Sequence, residues 1–202
     1  MPISRVCVYC ASSDTVDIAY HEAAYRLGQV LAEAKITTVY GGGGIGSMGR
    51  LADGVLESGG QVVGILPQFM AEIEWGHARL TELQLVSDMR ERKRLLLEGA
   101  DAVVALPGGC GTYEELFEAI TLKRLGLYLE PIVLINTRGY FDLCIGLLEQ
   151  CVTEGFMHPY HRAMWQVVDT PEQVLDAIAN APVWSPQARD FAVQKQTPSI
   201  FR

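Results

Sequence analysis

The amino-acid sequence predicts an α/β protein built on a doubly wound, Rossmann-like and mostly parallel sheet with helices on both faces. Short apolar runs rich in β-branched residues alternate with longer segments of helical period, the repeating pattern of this fold class. The run at residues 102–106 is apolar throughout, as expected of a parallel strand that is buried on both faces. Glycine-rich stretches directly follow two of the runs, and ligands in such folds bind beyond the carboxyl ends of the strands.

Strands and helices alternate along the chain. Strands are predicted at residues 6–9, 37–40, 62–66, 83–86, 102–106, 132–135 and 165–168. Helices are predicted at residues 19–34, 48–58, 89–98, 113–125, 141–154 and 171–179. No linker divides this pattern, so residues 1–182 are expected to form a single α/β domain. Residues 183–202 contain two prolines and no clear period, which predicts a C-terminal tail that is disordered or draped on the body or a partner.

The composition excludes several classes of protein. Of the 202 residues, 49% are hydrophobic and 20% are charged, a balance typical of compact globular chains rather than disordered ones. A net charge of −8 repels a phosphate backbone, so nucleic acid is not an expected partner. No apolar run approaches the roughly 20 residues that span a bilayer, and the N-terminus has no signal-peptide core. Membrane association is therefore not expected.

The cysteines indicate a reducing compartment. They are odd in number and scattered along the chain, at Cys7, Cys10, Cys110, Cys144 and Cys151, so they do not form a disulfide framework. Cys7 and Cys10 lie at the end of a predicted strand with no second pair, which argues against both a redox motif and a zinc site. We expect a cytoplasmic protein without a metal.

The first glycine loop, residues 41–49, follows one predicted strand and opens a helix. Glycine lets backbone N–H groups wrap around an anion, and the positive end of the helix adds to the attraction. The spacing of Gly44, Gly46 and Gly49 also fits a dinucleotide fingerprint. However, the acid that should end the next strand is missing, because residues 62–66 run into Pro67 and Gln68. A nicotinamide cofactor is therefore not expected.

The second glycine loop begins at Pro107 and again lies between a strand and a helix. Thr112 and Glu115 have the spacing of a capping box, which would place both in the first helical turn. The helix macrodipole should then keep Glu115 ionised. Two such loops at the ends of parallel strands can meet in one crevice, which suggests a site for a phosphorylated small molecule beside a carboxylate.

A basic segment, residues 87–94, follows the fourth predicted strand. Asp88 and Glu91 resemble a helix start, so the arginines and the lysine between residues 90 and 94 fall in the first turns, where cations oppose the macrodipole. One interpretation is a solvated face paired to Glu91 and Glu98. Their position at a strand end of an acidic protein favours the other interpretation, a counter-charge for a bound phosphate.

These motifs resemble the LOG (Lonely Guy) family of cytokinin-activating phosphoribohydrolases, formerly described as "possible lysine decarboxylases". The family motif P-G-G-x-G-T-x-x-E is intact from Pro107 to Glu115, and G-G-G-x-x-G-x-M-G matches residues 41–49. The element M-x-E-R-K matches Met89 to Lys93, and the resemblance covers roughly residues 5–180. Ala11, Arg90 and Leu122 differ from the residues that are common in the family at these positions. These differences affect the expected preference for the base and not the expected class of reaction.

The resemblance implies hydrolysis of the N-glycosidic bond of cytokinin nucleoside 5′-monophosphates and of AMP, without a cofactor, in a homodimer with the active site near its interface. It implies that residues 1–182 are a nucleotide-binding domain and that Arg92 and Glu115 are the catalytic pair. The phosphate would lie against Gly109, Cys110, Gly111 and Thr112. The further substrate contacts implied are Glu74, Met89, Lys93, Gly108, Glu114, Thr121, Gly43, Gly46 and Met48.

The residue types suit this chemistry, because a carboxylate can stabilise the oxocarbenium character of a breaking ribosyl bond while it activates water. Arg92 is permanently charged and would offset charge on the leaving base. Lysine decarboxylation is not expected, since it needs pyridoxal phosphate on a lysine and no lysine has a recognisable cofactor setting. Two alternatives remain: a non-catalytic nucleotide or molybdenum-cofactor carrier, and a DNA-processing protein, which the charge of −8 opposes.

Overall fold

The computed structural model describes residues 3–71 and 76–191 of the chain. Its central feature is a sheet of seven strands in the order β4-β3-β2-β1-β5-β6-β7, in which every pairing is parallel. The strands are β1 (Arg5–Tyr9), β2 (Thr37–Tyr40), β3 (Val62–Pro67), β4 (Glu82–Val86), β5 (Ala102–Ala105), β6 (Ile132–Ile135) and β7 (Gln166–Val168). The predicted fold class and all seven predicted strands are thus confirmed.

Helices connect the strands. They are α1 (Ile18–Glu33), α2 (Gly46–Glu57), α3 (Gln68–Ala71), α4 (Met89–Leu97), α5 (Cys110–Arg124), α6 (Asp142–Thr153) and α7 (Val174–Ala179). The short α3 is absent from the sequence prediction, and the predicted helix at 171–179 divides into a 3-10 turn, Pro171–Gln173, and α7. No helix among the described residues is both long enough and apolar enough to cross a membrane.

Side chains on the two faces of the sheet pack into two separate cores. Alternate residues of β1 illustrate this, because Cys7 and Tyr9 belong to one core whereas Val6 and Val8 belong to the other. The first core is completed by α4, α5 and α6, and the second by α1, α2 and α7. Each face is therefore covered by helices, as the all-apolar strands predict.

One helix boundary differs from the prediction in a way that matters for function. Helix α5 begins at Cys110, three residues before the predicted start at 113, and its N-cap is Gly109. Thr112 and Glu115 therefore lie inside the helix, and neither Gly109 nor any acid in the first turn caps it. The predicted capping box is wrong, because the helix already begins at Cys110. Thr112 is therefore a residue of the first turn and not the N-cap.

Part of the segment beyond residue 182 packs against the domain. Trp184 and Ala188 are buried in the core on the α5 face, and the indole N–H of Trp184 donates to the backbone oxygen of Lys123 at 2.7 Å. Tyr160 stacks on the same indole with ring centroids 4.8 Å apart. Residues 192–202 of the predicted tail lie outside the described part of the chain.

Candidate active site

The candidate site lies where the winding of the sheet reverses. Strands β1 and β5 are neighbours, but β1 leads into α1 on one face whereas β5 leads into α5 on the other. The two connections separate beyond the carboxyl ends of these strands and leave a crevice between them. This is the place at which doubly wound folds bind their ligands.

Three adjoining cavities occupy this crevice. The central cavity, about 370 Å³, is lined by Cys10, Ala11, Ser12, Ser13, Met48, Met70, Met89, Arg92, Gly109, Gly111, Thr112 and Glu115. The apolar cavity, about 270 Å³, is lined by Ser12, Asp14, Gly41, Gly43, Ile45, Met48, Leu66, Met70 and Arg92. The aromatic cavity, about 240 Å³, is lined by Ala11, Ser13, Val16, Tyr20, Ser47, Pro107, Gly108, Gly109 and Tyr140. Shared lining residues join the central cavity to each of the other two.

The N-terminus of α5 opens into the central cavity without a cap. The first helical hydrogen bond runs from the amide of Tyr113 to the oxygen of Gly109, at 3.1 Å. Within the described residues, the amides of Cys110, Gly111 and Thr112 have no hydrogen-bond acceptor. Unpaired N–H groups at the positive end of a helix form an anion site.

The glycines of this loop serve two different purposes. A Cβ on Gly108 would collide with the side chain of Thr112, which is itself buried, so packing alone requires glycine there. A Cβ on Gly109 or Gly111 would meet nothing within 4 Å. Neither of these two has a left-handed backbone, so neither packing nor conformation explains the glycine. What glycine does provide at 109 and 111 is open space for a ligand to approach the amides.

Arg92 reaches the cavity from the opposite wall and is held firmly. Its side chain is buried, its Nε donates to the oxygen of Ile65 at 3.1 Å, and its Nη2 donates to the oxygen of Gly41 at 3.0 Å. A Cβ on Gly41 would collide with this guanidinium, which explains why the first glycine loop begins with that residue. The planar donor fork is therefore fixed at the junction of the central and apolar cavities.

Glu115 faces the same cavity from the second turn of α5. It is only 7% exposed, and no described residue donates a hydrogen bond to its carboxylate. Burial raises its pKa from 4.5 to about 7, while the positive charge of Arg92 opposes this rise. The expectation that the macrodipole keeps Glu115 ionised is wrong, because desolvation inside the cavity outweighs the field of a helix end one turn away.

The other residues of the predicted site divide into two groups. Met89 and Met48 line the central cavity, and Gly43 lines the apolar cavity. Lys93 instead pairs with Glu114 and Glu118, at 2.6 Å and 2.8 Å, and lines none of the three cavities. The same is true of the exposed Cys110 and Thr121.

Two predicted residues need separate mention. Gly46 has a φ of +63°, and a Cβ there would collide with the backbone of Ser12 and Ser13, so it shapes the loop rather than lining a cavity. Glu74 lies outside the described residues.

Sequence reasoning missed the segment that follows β1. Ser12 and Asp14 line the crevice, together with Met70 of α3. The position of residues 11–14 beyond the first strand, next to the reversal of the winding, could have indicated them. Their residue types carry no motif of their own. Among residues 3–71 and 76–191, no three His, Cys, Asp or Glu side chains come close enough together to hold a metal ion.

Comparison with known proteins agrees with these motifs. The family profile described as "Possible lysine decarboxylase" matches residues 48–178. A cytokinin riboside 5′-monophosphate phosphoribohydrolase from Rhodococcoides fascians is 41% identical over 174 residues, which cover 86% of this chain and 88% of that protein. One from Arabidopsis thaliana is 40% identical over 167 residues, 83% of this chain and 76% of the relative.

Solved structures with the same fold include proteins of a different kind. The molybdenum cofactor carrier protein of Chlamydomonas reinhardtii superposes with a TM-score of 0.69 at 18% identity, over 89% of this chain and 98% of its own. At this identity the similarity shows the fold alone. The profile match and the curated relatives go further, and from them we conclude that the chain belongs to the LOG family of cytokinin riboside 5′-monophosphate phosphoribohydrolases.

Proposed function

We propose that this protein hydrolyses the N-glycosidic bond of nucleoside 5′-monophosphates, cytokinin nucleotides and AMP among them, and releases the free base and ribose 5-phosphate. The observation that carries the proposal is the central cavity itself. It brings a buried carboxylate without a hydrogen-bond partner among the described residues, Glu115, together with a fixed guanidinium, Arg92, and an open helix N-terminus. The names of the relatives supply the class of substrate.

The phosphate binds at the N-terminus of α5. The amides of residues 110–112 donate to its oxygens, and the absence of side chains at Gly109 and Gly111 allows the approach. Thr112 adds a hydroxyl at the same place. Because Glu115 lies one helical turn beyond Thr112, a nucleotide anchored in this way presents its ribose to the carboxylate.

The reaction needs only water as co-substrate. The bond between C1′ and the base nitrogen breaks, and its electron pair leaves with the base. Water adds to C1′ as the ribose takes on oxocarbenium character, which the Glu115 carboxylate stabilises. Glu115 accepts one proton of the water and then releases it to solvent, from which the leaving base takes up one proton, so the atoms balance and the enzyme returns to its starting state. A pKa of about 7 suits this transfer, because a general base works best when its pKa lies near the working pH.

Arg92 has an electrostatic and positioning role. A guanidinium does not give up its proton near neutral pH, so it acts by donating hydrogen bonds and by offsetting charge on the base as the bond breaks. Its bonds to Ile65 and Gly41 hold it in place before the substrate arrives. Lys93 does not contact the reacting atoms, since its ammonium group is paired with Glu114 and Glu118 of α5.

The test is chromatography of the products formed from AMP and from an isoprenoid AMP by the purified protein. We expect a free base and ribose 5-phosphate in equal amounts, with no product from adenosine or from other bonds. Tight binding of either nucleotide without turnover would contradict hydrolysis and support a carrier. A chelator should leave turnover unchanged, because no three potential metal ligands lie together among the described residues.

The working form is a homodimer in this proposal. The resemblance implies that Thr121 contacts substrate, yet Thr121 is exposed on α5 and lines none of the cavities of its own chain. Leu125, one turn further along, is 40% exposed. A second copy docked on this helix would cover both residues and bring Thr121 towards a crevice. Ile120, in contrast, is buried in its own core and is not available for such a contact. Light scattering that finds a fully active monomer of about 22 kDa would overturn an essential dimer.

The protein is proposed to work in the cytoplasm. All five cysteines are free thiols, and Cys7 and Cys10 are buried in different cores. Free thiols are typical of reducing compartments. Fractionation of cells that express the tagged protein would test this location.

A further inference from the structure

Among the described residues that line the apolar cavity, one of each charge sign is present and most of the others are apolar. Arg92 stands at its junction with the central cavity, and Asp14 is the only carboxylate among the described residues that line it. The Asp14 carboxylate makes neither a hydrogen bond nor an ion pair with any described residue. Asp14 is exposed to solvent, and it lines the same cavity as Arg92 without forming an ion pair with it.

The order of the three cavities decides which part of a nucleotide occupies this one. The phosphate site at Gly109 and Gly111 lies in the central cavity, and the aromatic cavity adjoins it at Gly109, on the phosphate side. The apolar cavity adjoins it at Arg92, on the side away from the phosphate. When the ribose lies against Glu115, the base therefore extends past Arg92 into the apolar cavity.

The chemistry of the two charges is complementary to one kind of base. Arg92 can only donate hydrogen bonds, so it faces a ring nitrogen that accepts them. An ionised Asp14 can only accept, so it faces an N–H group. A 6-aminopurine offers both: ring nitrogens that accept, and an exocyclic nitrogen that donates. The exocyclic nitrogen keeps one N–H when it carries a single substituent and has none when it carries two.

We infer that Asp14 is a specificity residue that selects purines with at least one hydrogen on the exocyclic nitrogen. This inference rests on the proposed function and adds a residue and a rule of substrate choice to it. Ile45, Leu66 and Met70 leave an apolar space around the same nitrogen, in which a single alkyl substituent fits while its N–H still points to Asp14. The flexible methionine side chain adapts to substituents of different shape.

A pair of isomeric substrates tests this rule. N6-ethyl-AMP and N6,N6-dimethyl-AMP have the same atoms and nearly the same apolar surface, but only the first has an exocyclic N–H. We expect the wild-type protein to favour N6-ethyl-AMP about tenfold in kcat/KM, the usual worth of one hydrogen bond to a charged group. Asp14→Ala should bring the ratio close to one.

A matched control and a binding measurement complete the test. Asp176→Ala removes an exposed aspartate of α7, on the far side of the second core, and should keep the tenfold preference. A wild-type kcat/KM ratio near one would overturn the inference, and so would a tenfold ratio that persists in Asp14→Ala. An equal loss of kcat/KM with both substrates in Asp14→Ala would also overturn it, because it would indicate a contact with the ribose. Calorimetry with the free bases N6-ethyladenine and N6,N6-dimethyladenine separates the two proposals. A binding preference that depends on Asp14 without any hydrolysis would sustain this inference while the proposed reaction fails.

Discussion

Two helices of this protein begin at the same edge of the sheet in opposite ways. At α4, the carboxylate of Asp88 accepts hydrogen bonds from the amides of Arg90 and Glu91, at 2.8 Å and 2.9 Å, and Glu91 in turn accepts from the amide and hydroxyl of Ser87. At α5, the N-cap is Gly109, which has no side chain to offer. One helix end is closed by its own acids, and the other is left open.

The difference shows how one fold separates scaffold from binding site. Because Asp88 already satisfies the amides of Arg90 and Glu91, an anion gains little there, and the helix carries Arg92 on its inner side. Leaving α5 open with glycine at the N-cap costs only a few tenths of a kcal/mol relative to a capping side chain. A bound phosphate can return that stability, which is why open helix ends occur at ligand sites.

The largest expected effect concerns Glu115. Glu115→Gln keeps the size of the side chain but removes the charge that stabilises the oxocarbenium ion, so kcat should fall by about 10²–10⁴ with little change in KM. Steady-state assays with AMP would measure this. Glu98→Gln, at an exposed residue paired with Arg94, provides the matched control and should leave both constants unchanged. A folded Glu115→Gln protein with normal kcat would remove Glu115 from the chemistry.

The same variant should be more stable than the wild type above neutral pH. The pKa of Glu115 is about 7 in the folded protein and near 4.5 in the unfolded chain, so the folded state binds the proton more tightly. Stability therefore falls as pH rises from 4.5 through 7, by up to about 3 kcal/mol. Glutamine removes this loss, so the variant should melt higher than the wild type at pH 8. A lower melting temperature at pH 8 would show that the carboxylate stabilises the fold.

Closing α5 in the manner of α4 should abolish its ability to bind phosphate. Gly109 has an extended backbone and open space around it, so Gly109→Asp can form the cap that Asp88 forms at α4. The new carboxylate would occupy the amides and repel the substrate, so KM should rise by about 10² while thermal stability increases. Gly109→Ala, which neither caps nor carries a charge, distinguishes these effects from simple crowding. An unchanged KM in Gly109→Asp would place the phosphate elsewhere.

The pH profile should show the titration of the buried carboxylate. Below about pH 7 the carboxyl of Glu115 is protonated and cannot stabilise positive charge on the ribose. We therefore expect kcat/KM for AMP to rise by about tenfold per pH unit up to about 7 and to level off above it. This limb should be lost in Glu115→Gln. A profile that falls through the same range would mean that the protonated form is the active one.

A smaller effect is expected at Gly111. Its Cβ would meet no protein atom within 4 Å, so Gly111→Ala should fold normally and gain up to about 1 kcal/mol of helix stability. The methyl group would crowd the phosphate and raise KM by about tenfold with little effect on kcat. Gly146→Ala is the matched control, because Gly146 also lies in a helix with nothing within 4 Å. It should show the gain in stability without the kinetic effect.

The sequence predicts the sheet better than it predicts the electrostatics of the site. All-apolar strands such as β5 require burial on both faces, and the parallel topology follows from that. The family resemblance also points to Arg92 and Glu115, which line one cavity in the structure. The sequence mistakes the environment of Glu115, because the T-x-x-E spacing suggests a capping box with the helix starting at 113, whereas α5 starts three residues earlier and Thr112 is not its N-cap. The first residue of α5 depends on the path of the glycine loop after β5. The desolvation of the Glu115 carboxylate depends on which elements enclose the crevice. Asp14 could not be found from a motif at all, since it lines the apolar cavity only through the meeting of four chain segments.

The smallest expected effect distinguishes the two helix ends by stability alone. Asp88→Ala removes the acceptor for the amides of Arg90 and Glu91 and should lower the melting temperature by about 2–4 °C. The pKa of Asp88 is held below its usual value by these amide hydrogen bonds, so the wild type should lose the same stability when acid protonates the carboxylate, whereas the variant should not. Inorganic phosphate should protect the wild type and Asp88→Ala against heat equally, because it binds at α5. Protection that increases in Asp88→Ala would mean that the uncovered end of α4 also binds phosphate. In that case the two helix ends would differ only in the side chain at the cap.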